Sequence, residues 1–356
     1  MSFREPAGLS TERARFRPER GVSTVVAVTS TTRSDSTEAR DAAAGFEQVR
    51  PELTAYCYRM LGSAFEADDA VQETLVRAWR GIDNFEGRAA LRSWLYRIAS
   101  NVCFDMLRSR KRRALPVDLF EVGRADGHVD PPTNEIPWLE PMPDARIGIV
   151  GADPAEQAEL RDSVRLAFVA ALQHLPARQR AVLILREVLK WKASEVAELL
   201  DTTVVSVNSA LQRARTTLSD RGVTPSGAPQ AMDAVQAELL ARYVDAFERF
   251  DVEALVAILH EDATMQMPPW PLWLSGNTEW RKWLHGPGSA CVGSVLAPVD
   301  VNGVPGFAQW RADPAGGHTA WCIQALSISG GVITGIDFFV DPRFFALFDL
   351  PVHLDD

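Results

Sequence analysis

The chain has 356 residues, enough for two or three domains with separate cores, and its 46% hydrophobic and 24% charged content is that of ordinary globular protein. No run reaches the roughly 18 apolar residues of a membrane span, and the charged N-terminus lacks the apolar stretch of a secretory leader. Four widely spaced cysteines (Cys57, Cys103, Cys291, Cys322) with no C-x-x-C pair speak against a zinc site or a disulfide framework, and for buried thiols in a reducing cytoplasm.

The net charge of -10 hides an asymmetry. Residues 86–113 carry eight Arg/Lys and two Asp/Glu. Residues 116–162 carry eleven acids and three bases, and residues 231–356 sixteen acids and six bases. Such blocks point to a nucleic-acid contact and to something in the same chain that competes with it.

Residues 1–40, rich in Ser, Thr, Arg and Glu without apolar patterning, have the composition of a disordered segment. From 41 to 113 the pattern is helical. Phe46, Val49 and Leu53 recur at three to four and lead into Tyr56, Met60 and Leu61. In FEADDAVQETLVRAWRGI the apolar stripe is Ala70, Val71, Leu75, Ala78 and Trp79, and Gly81 is placed to end that helix. SWLYRIASNVCFDMLRSRKRR carries Trp94, Leu95, Ile98, Ala99, Val102, Cys103 and Met106 on one face and ends in almost pure positive charge. A bundle of three or four helices follows from these stripes.

Residues 114–158 form an acidic, proline-rich linker, irregular to about residue 153, because prolines such as the five in DPPTNEIPWLEPMPD do not continue helices. Residues 159–222 are helical again, broken at Leu175-Pro176 and near Asp201. Ser194 can cap a helix ending at Leu200, Asp201 tolerates a left-handed turn, and Thr203 can cap a second helix running to Leu218. Val196, Leu199, Val207, Leu211 and Leu218 then face inward, while Ser206, Asn208, Ser209, Gln212, Arg213 and Arg215 stay outside. A helix-turn-helix of this form can lay its second helix in the major groove, where Asn, Gln and Arg read base edges and Arg meets phosphate. The same residues also admit a strand from TTVVSV, or a helical hairpin with a polar surface.

The basic run Arg108–Arg113 reads on its own as a solvated helix end favoured by the helix dipole. Upstream, however, Phe85, Trp94 and Tyr96 interleave with Arg88, Arg92 and Arg97. Aromatic faces and cations together suit single-stranded nucleic acid, with core packing the competing role of Phe85 and Trp94.

A Gly/Pro-rich linker, 223–232, precedes a domain of another type, 233–356. Ala234–Phe250 is an amphipathic helix, and Asp251 can cap a second one, VEALVAILH. Beyond residue 290 the pattern is strand-like, and Trp321–Ile328 and Val332–Val340 around the turn at 329–331 read as a hairpin. Helices first and strands later give α+β.

The stretch from FEADDAVQETLVRAW to RSRKRR resembles region 2 of bacterial RNA polymerase sigma factors, and LPARQRAVLILREVL with EVAELLDTTVVSVNSALQRAR resembles their region 4. Their order and spacing are similar to the sigma-70 family's extracytoplasmic-function (ECF) subgroup. The linker segment WLEP and the last domain resemble the subset with a C-terminal SnoaL-like domain. The fold this resemblance implies is multidomain: two all-α domains, a σ2 bundle and a σ4 helix-turn-helix, followed by an α+β NTF2/SnoaL-like cone. The implied partners are core RNA polymerase, through its β′ clamp and β flap, and promoter DNA, with no cofactor, no metal, no catalysis and no membrane. Asp68, Asp69, Gln72, Glu73, Arg77 and Trp79 fall on the helix that docks on the clamp. Asn84, Phe85, Arg88, Arg92, Arg97, Asn101, Asp105, Arg108, Arg110, Lys111 and Arg112 fall on the part that captures the -10 element as a flipped single strand. Thr203, Ser206, Asn208, Ser209, Gln212, Arg213 and Arg215 fall on the -35 recognition helix. Asp201 departs from the Gly usual in that turn. Lys190 and Lys192, flanking Trp191, are also atypical and offer extra phosphate contacts.

The implied cone brings a pocket. Trp270, Trp273, Trp283, Trp310 and Trp321 are its candidate lining for a small apolar ligand, with Trp280 nearby and plain core packing the alternative. Isomerase chemistry would need a placed carboxylate and an oxyanion donor; His260, Asp262 and Asp337 are the acid–base candidates, and Tyr243 reads as a packing residue. The expectation is a sigma factor whose last domain tunes it in cis, by packing on σ2, σ4 or the linker. The alternative is an isomerase-like enzyme, or a ligand sensor, fused to a DNA-binding regulator.

Overall fold

The computed structural model describes residues 31–82, 88–108, 110–126, 129–148, 154–220 and 234–355; side chains at 31–43, 88–90 and 154–157 lie outside that description. Helix α1 runs Thr31–Leu61. Residues 31–40, expected to lack structure, are therefore helical, while residues 1–30 lie outside the described residues. Ser63 ends the following turn by accepting the Glu66 N–H at 3.1 Å, which starts α2, Ala64–Arg80; Gly81 closes it as expected. Helix α3 spans Arg88–Leu107. Leu53, Tyr56, Met60, Val71, Leu95, Ala99 and Cys103 are buried between these three helices. Each large apolar side chain so buried contributes about 1.5–3 kcal/mol, which makes this stripe the bundle's cohesion.

The linker holds one short turn of helix, α4 (Pro116–Leu119), and a 3-10 turn at Asp144–Ile147. Helices α5 (Pro154–Val164), α6 (Leu166–Leu172) and α7 (Ala177–Leu183) follow, the last running into a π-helical turn at Ile184–Val188. The helix-turn-helix is α8 (Ala193–Leu199) and α9 (Val204–Ser219). Asp201 takes φ 48° in the turn, and the Thr203 hydroxyl accepts the Ser206 N–H at 3.1 Å. Val196, Leu199, Val207, Leu211 and Leu218 are all buried, so no strand forms from TTVVSV. The cap of α8 differs from expectation. The helix starts two residues earlier than a Ser194 cap would place it, with Lys192 at the N-cap and its N–H donating to the Glu195 carboxylate at 2.7 Å.

The last domain opens with α10 (Ala234–Glu248) and α11 (Val252–Ala257), the latter capped by Asp251 accepting the Ala254 N–H at 3.0 Å. Then come β1 (Leu259–Gln266), β2 (Trp273–Ser275), α12 (Asn277–His285), β3 (Val295–Val301), β4 (Val304–Ala312), β5 (His318–Ser329), β6 (Val332–Phe339), α13 (Phe344–Leu347) and β7 (His353–Leu354). The sheet order is β2-β1-β6-β5-β4-β3, with β7 on β5 and only β1–β6 parallel. Sequence reasoning missed β1, β2 and α12, and the short α13 and β7. VEALVAILH turns into strand at Leu259, and β2 is only three residues long.

From Gly45 onward the chain is one unit with two apolar cores. One lies inside the cone, between α10–α12 and the concave face of the sheet. The other joins the helical domains to the back of the same sheet, through Ala308, Trp310, Ile323 and Phe339. Strand alternation makes this division, since successive residues point to opposite faces.

Candidate functional site

Along α2, Asp69, Gln72, Glu73, Arg77 and Trp79 are exposed as a stripe. Glu73 holds Arg77 at 2.7 Å, and Trp79 is 48% exposed with its ring edge on Phe46. Asp68 is different. Its carboxylate is paired at 2.5 Å with Arg146 of the linker, whose Nε donates to the Leu347 carbonyl at 3.0 Å. Burial raises the Asp68 carboxyl above its ordinary value although Arg146 opposes this. Beside it Phe65 stacks on Phe344 at 5.8 Å, with Arg343 over the same ring. Helix α13 of the last domain thus covers one end of the α2 face.

Asn84 and Phe85 lie outside the described residues, as does the side chain of Arg88. Most of the other candidate residues of α3 and its basic end meet partners within the chain. Arg92 pairs with Glu52 at 2.7 Å and lies over the rings of Tyr96 and Trp191. Arg97 donates to the Glu198 carbonyl on α8 at 3.3 Å. Asp105 receives Arg108 at 3.0 Å, and Asn101 is exposed. Arg110 pairs with Glu66, Arg112 reaches His174, and Lys111 is exposed. On α9, Ser206, Asn208, Ser209, Gln212 and Arg213 all face outward with Thr203 at the tip, and Arg215 pairs with Glu187 at 2.7 Å. Lys190 pairs with Glu159 at 3.6 Å, and Lys192 is exposed.

The two helical domains are packed on each other. Trp191, buried, meets Tyr96 at 5.1 Å. Arg180, also buried, donates to the Met60 carbonyl and to Gln173 Oε1, and burial lowers its guanidinium to about 10. Sequence reasoning missed what locks this packing: the β3–β4 hairpin tip, Asn302–Gly303. Asn302 is fully buried at φ 52°. Its amide donates to Tyr58 Oη at 2.6 Å and to the Val164 carbonyl at 2.8 Å, and its oxygen accepts the Met142 N–H at 2.9 Å. One side chain so joins the first bundle, the linker, α5 and the last domain. At Gly303 (φ +71°) a Cβ would lie 2.5 Å from the Arg161 carbonyl, so only glycine fits. The Gly303 N–H donates to Asp144 at 2.8 Å, whose buried carboxyl is pushed up to about 7. The visible signal was Val-Asn-Gly-Val, a two-residue hairpin turn.

Inside the cone is a cavity of about 250 Å³. Trp270, Trp283 and Trp321 line it together with Trp280. Trp273 and Trp310 do not, which corrects the expectation. Gln309 and Arg311 line the cavity from β4, so alternation turns Trp310 to the back of the sheet, where it packs on Phe345 at 5.0 Å and donates to the Pro351 carbonyl. Trp273 Nε1 finds its acceptor in the linker, at the Phe120 carbonyl 2.8 Å away. Tyr243 does line the cavity, its hydroxyl donating to Gln324 at 2.7 Å, and burial raises its phenol well above the ordinary value. The acid–base candidates are elsewhere. His260 and Asp262 are exposed, and Asp337, between the lining residues Ile336 and Phe338, points behind the sheet to Gln266. Among the described lining residues there is no carboxylate or imidazole of the kind isomerase chemistry uses as its base. The linker runs along this domain's edge: Gly123 N–H donates to Trp273 O at 2.8 Å, Ala125 N–H to Glu279 at 2.7 Å, and Val129 closes part of the cavity.

Residues 46–113 match the family model described as Sigma-70 region 2, and residues 165–218 match that of Sigma-70, region 4. The chain is 42% identical over 327 residues to the ECF RNA polymerase sigma factor SigG of Mycobacterium tuberculosis, covering 88% of this chain and 85% of that protein. It is 28% identical over 220 residues to the ECF sigma factor SigJ of the same species, 62% of each chain. The crystal structure of SigJ shares the fold, with a TM-score of 0.56 at 20% identity over 87% of this chain and 99% of that one. Among the described residues no helix is long and apolar enough to cross a membrane. An outward-facing recognition helix, a region 2 bundle with its basic end, and this extent of identity lead to one conclusion: the chain belongs to the ECF sigma factors, which are not enzymes but the subunits that direct core RNA polymerase to promoters.

Proposed function

We propose that this arrangement is the closed form of the sigma factor, held shut in cis by the C-terminal domain, and that core polymerase engages the opened chain. In that open state the α2 stripe from Asp68 to Trp79 docks on the β′ clamp, and region 4 reaches the β flap. The segment from Asn84 to Arg112 captures the melted -10 strand, and α9 reads the -35 element. The observation that carries this reading is the contact of the two DNA-reading modules, Arg97 on Glu198 and Tyr96 on Trp191 at 5.1 Å. The two promoter elements lie ~25 base pairs apart, about 85 Å of duplex at ~3.4 Å per pair. Modules in direct contact cannot occupy both. Asp68, engaged by Arg146 and shielded by α13, is a second polymerase contact withheld by the same docking.

The test is run-off transcription with bacterial core polymerase, comparing the full chain with one ending at Ser219. The shorter chain is expected to reach half-maximal output at a lower concentration. Identical concentration dependence would show that the last domain does not hold the factor closed. The cavity of the cone supports a second role for that domain, as the receptor of a small, largely apolar ligand. Its walls are mostly aromatic and aliphatic, the composition of ordinary ligand pockets.

A further inference from the structure

We infer that the ligand of this cavity is an aromatic acid whose anionic group is held by Arg311; the inference rests on the reading of the cavity as a ligand site. At about 250 Å³ the cavity exceeds the ~150 Å³ apolar void that takes up benzene in an engineered protein, so one or two fused rings with a substituent fit. Trp270, Trp280, Trp283 and Phe338 supply flat apolar walls.

The polar groups decide the rest. Tyr243 Oη donates to Gln324 Oε1, Gln324 Nε2 to Gln309 Oε1 at 2.9 Å, and Gln309 Nε2 to Ser294 Oγ at 3.0 Å. The Cys322 thiol also donates to Gln309 Oε1. This ladder is closed on itself. Arg311 is not part of it. Its guanidinium carbon lies 3.4 Å from the centre of the Trp321 ring, a cation–π contact that holds the side chain against the cavity wall. Nη2 has only the Cys291 sulfur at 3.2 Å, a weak acceptor. Nε is buried with no hydrogen-bond partner among the described residues, and no carboxylate pairs with this cation there. A guanidinium against an apolar cavity without a counter-ion is a costly arrangement, and a carboxylate or comparable acid on the ligand is what completes it. A neutral ligand of the same shape leaves the charge uncompensated.

The experiment uses the full chain and isothermal titration with benzoate, 2-naphthoate and indole-3-acetate, each beside its neutral amide. The expected result is that at least one acid binds, with its amide at least tenfold weaker, about 1.4 kcal/mol. Arg311→Gln should abolish that preference while the unliganded variant still melts in one cooperative transition. The acid–amide comparison on the unaltered protein needs no variant, so it stands even if Arg311→Gln folds poorly. Acid and amide binding equally well would overturn the assignment of Arg311 and leave the cavity as an apolar receptor. Binding of none of the six would overturn the cavity reading, and this inference with it.

Discussion

Replacing Asn302 by glycine should open the closed form without unfolding any domain. Glycine accepts φ 52° without strain, so the hairpin tip keeps its backbone, including the Asn302 N–H bond to Met142 O and the Gly303 N–H bond to Asp144. What is lost is the amide, with its three bonds to Tyr58, Val164 and Met142. Each contributes about 0.5–1.5 kcal/mol net, and the buried groups left behind lose a partner that water reaches only after undocking. Tyr58 keeps one bond, its own donation to the Glu140 carbonyl, so the total falls short of the maximum. The docked state should weaken by ~2–4 kcal/mol, or roughly 30- to 1,000-fold in its ratio to the open state. The greater backbone freedom of glycine does not enter, because the hairpin is formed on both sides of the docking equilibrium. Amide hydrogen exchange at Tyr96–Asn101 and in α8 would report the opening, and run-off transcription its consequence. Asn302→Gly is expected to exchange faster at those amides and to initiate at lower concentration. Exchange and output equal to the unaltered chain, with a correctly folded variant, would refute the hairpin tip as the lock.

Two further outcomes follow from the same contacts. Burial raises the Asp144 carboxyl to about 7, with Asp300 adding to this and the Gly303 N–H and Arg161 opposing it. A carboxyl raised in the fold favours the fold fully below its ordinary value near 3.8, and that contribution is lost as pH climbs through about 7. The docked form should therefore loosen between about pH 4 and pH 7, and Asp144→Asn should flatten this dependence in a melting-temperature series. Asp337, raised by burial to about 6, and Asp68 and Asp162, also raised by burial, act in the same direction, and an unaltered slope in the variant would sink the assignment. On the recognition helix, Gln212→Ala and Arg213→Ala should each cost about 1–3 kcal/mol in holoenzyme binding to its promoter. Only the arginine change should also reduce the salt dependence, which a filter-binding series at several salt concentrations would show.

The helix-turn-helix was legible because its signals are local. Thr203 caps, Asp201 takes the left-handed turn, and buried residues recur from Val207 to Leu218 within one helix. The hairpin of β5 and β6 was legible for the same reason. The lock was not, since Asn302 reaches Tyr58 across 244 residues, and nothing near Val-Asn-Gly-Val says what the turn will meet. The cavity was half legible. Tryptophan density pointed to this domain, but which side a strand residue takes depends on register, and β4–β5 pairing shifts between Gln309 and Trp310. Trp310 and Arg311 are neighbours in sequence and lie on opposite faces. Density alone favours the first, and only the folded sheet brings out the second.

Charge was expected to matter as competition with DNA, and the structure gives that competition a particular form. The cations of α3 and its basic end meet the chain's own carboxylates: Arg92 on Glu52, Arg97 beside Glu198, Arg108 on Asp105, Arg110 on Glu66. Most of these pairs are exposed, and such pairs are worth about 0–1 kcal/mol each. DNA phosphate could replace them at little loss. The closed form is held instead by its apolar and buried polar seams: Trp191 on Tyr96, Arg180 on Met60, the back of the sheet under Trp310, and Asn302. Promoter DNA offers nothing to those seams, so DNA alone should not open the chain. An opener must act where they end. On the proposed reading core polymerase does so at Asp68, by competing with Arg146 and α13. The proposed ligand would do so from inside the cone, where the cavity wall at Gln309 and Arg311 belongs to the strand that carries Trp310 into the shared core and leads back to Asn302.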